Sequence, residues 1–207
     1  IIILAFVLFS ISEGHAQNIL RNRPDREPTV TDFDSLTMRD PFILADQASH
    51  TYYLTGTGGS VWKSANLKQW KGPYKVTAID TSSWMGPRPA IWAAEIHQYR
   101  NKYYYFATFT NARVMIDSIP LRYNIPRRAS HVLVSDKPDG PYKPVGTENY
   151  LPANQATLDG TFWMEDGKPY MIYCHEWLQA IDGMMDAIEL KPDLSGPVGK
   201  PFSLFRA

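Results

Sequence analysis

The sequence carries one cysteine in 207 residues, no net charge, and no apolar run long enough to span a bilayer comfortably. A single cysteine, Cys174, rules out an internal disulfide and any cysteine-based metal cluster. It lies in the apolar run Tyr170-Met-Ile-Tyr-Cys174, which reads as the setting of a buried, inert thiol. The 21 basic and 21 acidic residues cancel. No nucleic-acid partner and no anionic membrane is expected, since both need a positive field. A phosphate-binding loop, a dinucleotide fingerprint and a serine-histidine-aspartate motif are all missing, which leaves those enzyme classes without support. Nor does any stretch sustain a helical period with caps at both ends.

What is present begins with an apolar segment, Ile1 to Ile11, followed by Ser12-Glu-Gly-His-Ala16. Residues 1–16 read as a partial signal peptide with cleavage after Ala16, although an initiator Met and a basic leader are missing. A signal places the mature protein outside the cell or in a periplasm, with no membrane attachment once it is removed. Residues 17–34 are polar, contain Pro24 and Pro28, and read as an exposed lead-in. Aromatic residues make up 13% of the chain. They fit a β-rich core and equally fit sugar binding, because pyranose faces stack on aromatic rings.

The remainder, 35–207, repeats one plan three times. An acid stands at the start of a strand, followed by a turn, a Tyr-rich strand, a turn, a further strand and a Gly-Pro turn. The acids are Asp40, Glu95 and Asp159, about 55 and 64 residues apart. The Gly-Pro turns are Gly72-Pro73-Tyr74, Gly140-Pro141-Tyr142 and Gly196-Pro197. Repeats of this length with only β signals inside them indicate β-propeller blades. The fold class is therefore all-β, with about three blades of a propeller that needs at least four to close. The start of each innermost strand faces the central channel in such a fold, which brings the three acids together. Pro41 biases Asp40 toward an extended conformation. The stretch from Thr110 to Ala129, with Arg113, Arg122, Arg127 and Arg128, reads as a long insertion, either solvated or at the substrate rim.

These motifs resemble glycoside hydrolase family 43, which includes arabinanases, α-L-arabinofuranosidases and β-xylosidases. The resemblance rests on Arg39-Asp40-Pro41, Ile91-Trp-Ala-Ala-Glu-Ile96, Ser135-Asp-Lys-Pro-Asp-Gly-Pro141, and Leu158-Asp159 followed by Phe162 and Glu165-Asp-Gly-Lys-Pro-Tyr170. It implies a five-bladed propeller and an inverting glycosidase that cleaves arabinofuranosyl or xylosyl linkages in plant cell-wall polysaccharide. By motif, Asp40 matches the general base. Asp159 matches the carboxylate that tunes and orients the acid. An inverting enzyme needs one carboxylate to activate water and one protonated carboxyl to serve the leaving group.

The family's acid lies in a Glu-Gly-Pro motif that this sequence lacks; by spacing it falls beyond Ala207, so the propeller domain here is incomplete. Glu176, in Cys174-His-Glu-Trp177, is the fallback proton donor. Trp92, Glu95, His175, Glu176 and Trp177 are expected to contact substrate, and His97 and His131 to be structural. Ala94 stands where the family often has proline. No cofactor and no metal ligand are expected, with a structural metal in the channel left open. The expected partner is an oligo- or polysaccharide. A non-catalytic carbohydrate-binding propeller, or a related propeller enzyme such as a fructan hydrolase or mannoside phosphorylase, remains the alternative.

Overall fold

A computed structural model describes residues 27–120, 123–146 and 148–206. The expected signal peptide lies outside these residues, as does most of the lead-in. The described chain forms three antiparallel sheets that stack as successive blades. Blade 1 contains β1 (Thr29–Asp32), β2 (Phe42–Asp46), β3 (Thr51–Thr55), β4 (Ser60–Ser64) and β5 (Gln69–Lys75). Blade 2 contains β6 (Ala90–Tyr99), β7 (Lys102–Ile119), β8 (Tyr123–Ser135) and β9 (Lys143–Pro144). Blade 3 contains β10 (Thr157–Glu165), β11 (Lys168–His175), β12 (Met184–Leu190) and β13 (Pro197–Arg206). Blades 2 and 3 are simple meanders. In blade 1 the strand order is β1-β5-β4-β3-β2, so β1 closes the outer edge. The helical content among the described residues is one short turn, Phe33–Ser35, and one four-residue helix, α1 (Trp177–Ala180).

Blade 2 shows why the sequence packs this way. Its strand β7 is apolar without interruption from Tyr103 to Phe109 apart from Thr108, because both faces are covered. Tyr103, Tyr105, Ala107 and Phe109 pack toward blade 1 with Tyr53, Val61, Ala94 and Ile96. Tyr104 and Phe106 pack toward blade 3 with Met171, Tyr173 and Ile188. Burying an aromatic or aliphatic side chain of this size contributes about 1.5–3 kcal/mol, so the two interfaces hold the stack together. Phenolic hydroxyls on the same faces find partners across the gap. Tyr105 donates to the Gly59 carbonyl at 2.9 Å and Tyr103 to Asp46 Oδ1 at 2.6 Å. The turn between β10 and β11 is the expected Asp-Gly hairpin, with Asp166 and Gly167 at φ 48° and 77°, the pair of left-handed residues such turns require.

Several local expectations are corrected. Thr29–Asp32, expected within the lead-in, pairs with β5 as an edge strand. Gly72-Pro73-Tyr74 is not a turn but lies inside β5, where Gly72 pairs with Thr29. Pro197–Arg206 form β13, the outer strand of blade 3. The Thr110–Ala129 insertion is mostly a hairpin arm, formed as β7 and β8 run on past the sheet from Asn111↔Arg127 to Ile119↔Tyr123. Mixed composition concealed it because most of the arm's side chains are exposed or half-buried, Ile125 being buried.

Candidate active site

Each innermost strand carries the same irregularity. In β10, Leu158 pairs with Cys174 and Thr161 with Ile172, so Asp159 and Gly160 together oppose Tyr173 alone. In β6, Trp92 pairs with Thr108 and Glu95 with Phe106, so Ala93 and Ala94 oppose Ala107. At the mouth of β2, Phe42 pairs with Thr55, and the Thr57 N–H bonds the Arg39 carbonyl at 3.0 Å, which places Asp40 and Pro41 opposite Gly56. These are β-bulges, which re-aim the first side chain out of the strand's normal alternation. Asp40, Ala93 and Asp159 all have left-handed backbones, with φ of 53°, 42° and 54°. Asp40 is thus not extended, as Pro41 alone implied. The bulge overrides the local preference, at a site where aspartate is among the residues that tolerate positive φ.

This register corrects the repeat alignment. The blade 2 counterpart of Asp40 and Asp159 is Ala93, and Glu95 stands two residues further along. Two carboxylates, not three, therefore project from equivalent bulges. They share one electrostatic environment. Asp159 is held above the ordinary carboxylate value first by burial, then by the charge of Asp40; Glu95 adds to this, while Arg39 and Arg128 oppose it. The side chain remains open to solvent in the channel, but the surrounding walls thin its hydration.

Threonines one strand outward secure the bulges. The Thr57 hydroxyl donates to Asp40 Oδ2 at 2.6 Å and accepts from the Ala93 N–H at 3.1 Å. The Thr108 hydroxyl accepts from the Asp159 N–H at 2.8 Å. The Ser130 hydroxyl accepts from the Gly160 N–H at 2.9 Å. In each case one blade fixes the bulge of the next. Cys174 occupies the corresponding position in blade 3, paired with Leu158. Its thiol is half-buried, not buried as expected, and is pushed up first by burial and then by Asp159. Arg39 lies 3.4 Å from Asp40 Oδ2 but is largely exposed, so it adds little beyond screened attraction.

The other expected site residues divide into two groups. Glu95 Oε2 takes hydrogen bonds from the Thr161 hydroxyl at 2.7 Å and from His97 Nε2 at 2.7 Å. Glu176 is buried and paired with Arg128. The same guanidinium lies 4.1 Å above the Trp92 ring and donates to the Thr110 hydroxyl at 3.1 Å. Trp92 is therefore stacked on a cation, and Glu176 is a buried ion-pair partner rather than a ready proton donor. His175 contacts Gln179 at 3.3 Å, and Gln179 also reaches Asp117 on the hairpin arm at 3.0 Å. Trp177 is 57% exposed and stands next to this buried pair.

Arg128 is the residue beside the acids whose place the sequence conveyed least, as one of four arginines in an insertion. Its burial within a strand next to the acid pair was not legible from composition. His131 is fully buried against Trp84 and Tyr150, and burial lowers its pKa to about 3. It is neutral at any ordinary pH. Among the described residues no three His, Cys, Asp or Glu side chains gather closely enough to hold a metal ion.

The comparisons place this stack of four- and five-stranded blades in a known family. The chain belongs to glycosyl hydrolases family 43, whose family model matches residues 33–207. It is 29% identical over 160 residues to an extracellular endo-α-(1→5)-L-arabinanase of Thermotoga petrophila, covering 70% of this chain and 30% of that protein. Among solved structures, an endo-arabinase from Bacteroides thetaiotaomicron is 34% identical with a TM-score of 0.72, covering 85% of this chain and 58% of that one. An arabinanase from Bacillus subtilis, 20% identical with a TM-score of 0.57, shares the fold over 82% of this chain and 57% of its own. The chain thus spans under two thirds of the length of these relatives. The all-β, five-bladed propeller class expected from the sequence holds, with three blades among the described residues.

Proposed function

We propose that this chain is part of an inverting glycoside hydrolase that cleaves arabinofuranosyl or xylosyl linkages in plant cell-wall polysaccharide. The observation that carries the reading is the placement of Asp40 and Asp159 on equivalent bulges that turn both carboxylates toward one space. Asp40, hydrogen-bonded by Thr57 and beside Arg39, is the base that takes a proton from the attacking water. Asp159, whose proton is bound more tightly than usual, modulates and orients the proton donor. That donor is a carboxyl from a blade outside these three, and it protonates the leaving oxygen.

Trp92 and Trp177, the latter 57% exposed, are the aromatics we read as meeting a sugar ring at the channel mouth. His175 and Glu176 support that rim from behind. Kinship with endo-arabinanases favours arabinan over xylan as substrate. Secretion or export to a periplasm fits the residues before Gln17 and the extracellular relative. No helix among the described residues is long and apolar enough to cross a membrane.

The test uses the full-length enzyme with linear α-(1→5)-arabinan and with xylan. Proton NMR of the first products reports the anomeric configuration. Products of inverted configuration from arabinan, lost in Asp40→Asn, support the reading. Binding without turnover in both wild type and Asp40→Asn would leave the carbohydrate-binding propeller as the better description.

A further inference from the structure

Glu95 is the acid that the bulges leave unexplained. It lies beyond its own blade's bulge, on the face turned to blade 3, and its Oε2 accepts from both Thr161 and His97. His97 is itself wedged among three aromatic rings, with centroids 4.9 Å from Phe42 of blade 1, 5.5 Å from Phe106 of blade 2 and 5.6 Å from Phe162 of blade 3. Such packing fixes the imidazole, and the imidazole fixes the carboxylate. Thr161 is the residue that ends the bulge opened by Asp159. Three consecutive residues of that bulge are therefore held from blade 2: Asp159 by Thr108, Gly160 by Ser130 and Thr161 by Glu95. Between blades 1 and 2 the corresponding bulge is held by Thr57 through Ala93.

We propose that Glu95 is a positioning residue for Asp159 and not a sugar ligand: locked by His97 and Thr161, it fixes the bulge that aims Asp159 and sets a second negative charge beside it. The inference rests on the assignment of Asp159 to the catalytic site. A side chain whose one oxygen already takes two hydrogen bonds from rigid partners is poorly placed to reorganise around a substrate hydroxyl. It is well placed to transmit the geometry of blade 2 to blade 3. The charges acting on Asp159 come from Asp40 and Arg39 beside β2, Glu95 on β6 and Arg128 on β8; His97 acts through Glu95. Glu95 pushes in the same direction as Asp40, so removing its charge eases the ionisation of Asp159.

The experiment compares kcat, KM and pH profiles of the full-length enzyme on arabinan. Glu95→Gln keeps the shape and the acceptor for Thr161 but loses the charge. It is expected to leave KM within about twofold, lower kcat about tenfold or more, and move the acidic limb of the profile to lower pH. Thr161→Val removes the lock and leaves the charge; kcat should fall while the acidic limb stays in place. A rise of about tenfold in KM with kcat unchanged in Glu95→Gln would make Glu95 a sugar ligand and overturn the proposal. So would a lowered melting temperature with kcat and the pH limb both unmoved. Asp159→Asn separates the underlying assignment: full activity there would remove Asp159 from the site, whatever Glu95 does.

Discussion

Asp40 and Asp159 occupy the same position in their blades, each the left-handed first residue of a bulge in the innermost strand, with φ of 53° and 54°. A left-handed conformation costs an ordinary residue about 1–2 kcal/mol, and aspartate and asparagine bear it best. The backbone at both sites thus favours the residue types that the chemistry requires. Asp40→Asn should therefore fold normally while losing the base. A reduction of about 10²- to 10⁴-fold in kcat is expected for loss of a general base, with the melting temperature nearly unchanged. Asp40→Ala should lose activity equally and melt lower, because alanine is strained at that φ. Steady-state kinetics and thermal melts of the two variants side by side check both parts.

Asp159 carries a stability cost with a defined pH dependence. Its folded-state pKa is raised, chiefly by burial and then by Asp40. The folded chain therefore holds this proton to higher pH than the unfolded chain does. From the ordinary carboxylate value upward, stability falls as pH rises through the folded-state value, and the cost is fully present at neutral pH. Asp159→Asn removes the charge. It should raise the urea midpoint at pH 7, with a gain that shrinks as pH falls below the folded-state value, while activity is lost. A variant equally stable at pH 7 and pH 4 relative to wild type would show that Asp159 ionises without penalty.

Much of this was legible in the sequence. Turn chemistry and period-2 segments located most of the strands, and the repeat of Asp40 and Asp159 marked two equivalent positions at the inner strands. Glu95 was misaligned because a bulge adds a residue without a sequence mark of its own: Ala93 and Ala94 resemble ordinary strand residues until the pairing with Ala107 is seen. The β7–β8 arm was hidden for a related reason. Its cross-strand hydrogen bonds are made by backbone, while its outward side chains, such as the exposed Val114 and Met115, follow no buried face. The Arg128–Glu176 pair joins residues 48 apart across two blades, and no local pattern encodes such a contact.

Gly160 tests whether the bulge must be held closely. A Cβ at this position would lie 2.5 Å from Ser130 Cβ and 2.8 Å from its hydroxyl. Ser130 is fully buried in β8 and accepts the Gly160 N–H, so neither group has room to withdraw. Gly160→Ala should cost about 1–3 kcal/mol through overpacking. It should also lower kcat more than it raises KM, because the displaced residue is adjacent to Asp159. Urea denaturation with kinetics on the same preparation checks both. A second change, Ser130→Ala, removes the hydroxyl but leaves the closer Cβ contact, so it should recover stability only in part.

Arg128 and Glu176 form a buried ion pair beside the site, with the guanidinium stacked on Trp92 and bonded to Thr110. Removing one member of a buried pair leaves the other charge uncompensated, which costs about 3–5 kcal/mol. Arg128→Met should therefore lower the urea midpoint sharply, and Glu176→Leu should do the same from the other side. The double variant replaces both charges with apolar groups of similar length. Its stability should return most of the way, since buried pairs are often matched by well-packed apolar residues. Activity should not return with it. Arg128 also opposes the rise in the Asp159 pKa, so in the double variant Asp159 should bind its proton more tightly and the acidic limb of the pH profile should move to higher pH. A double variant that regains both stability and the wild-type profile would show that the pair serves packing alone.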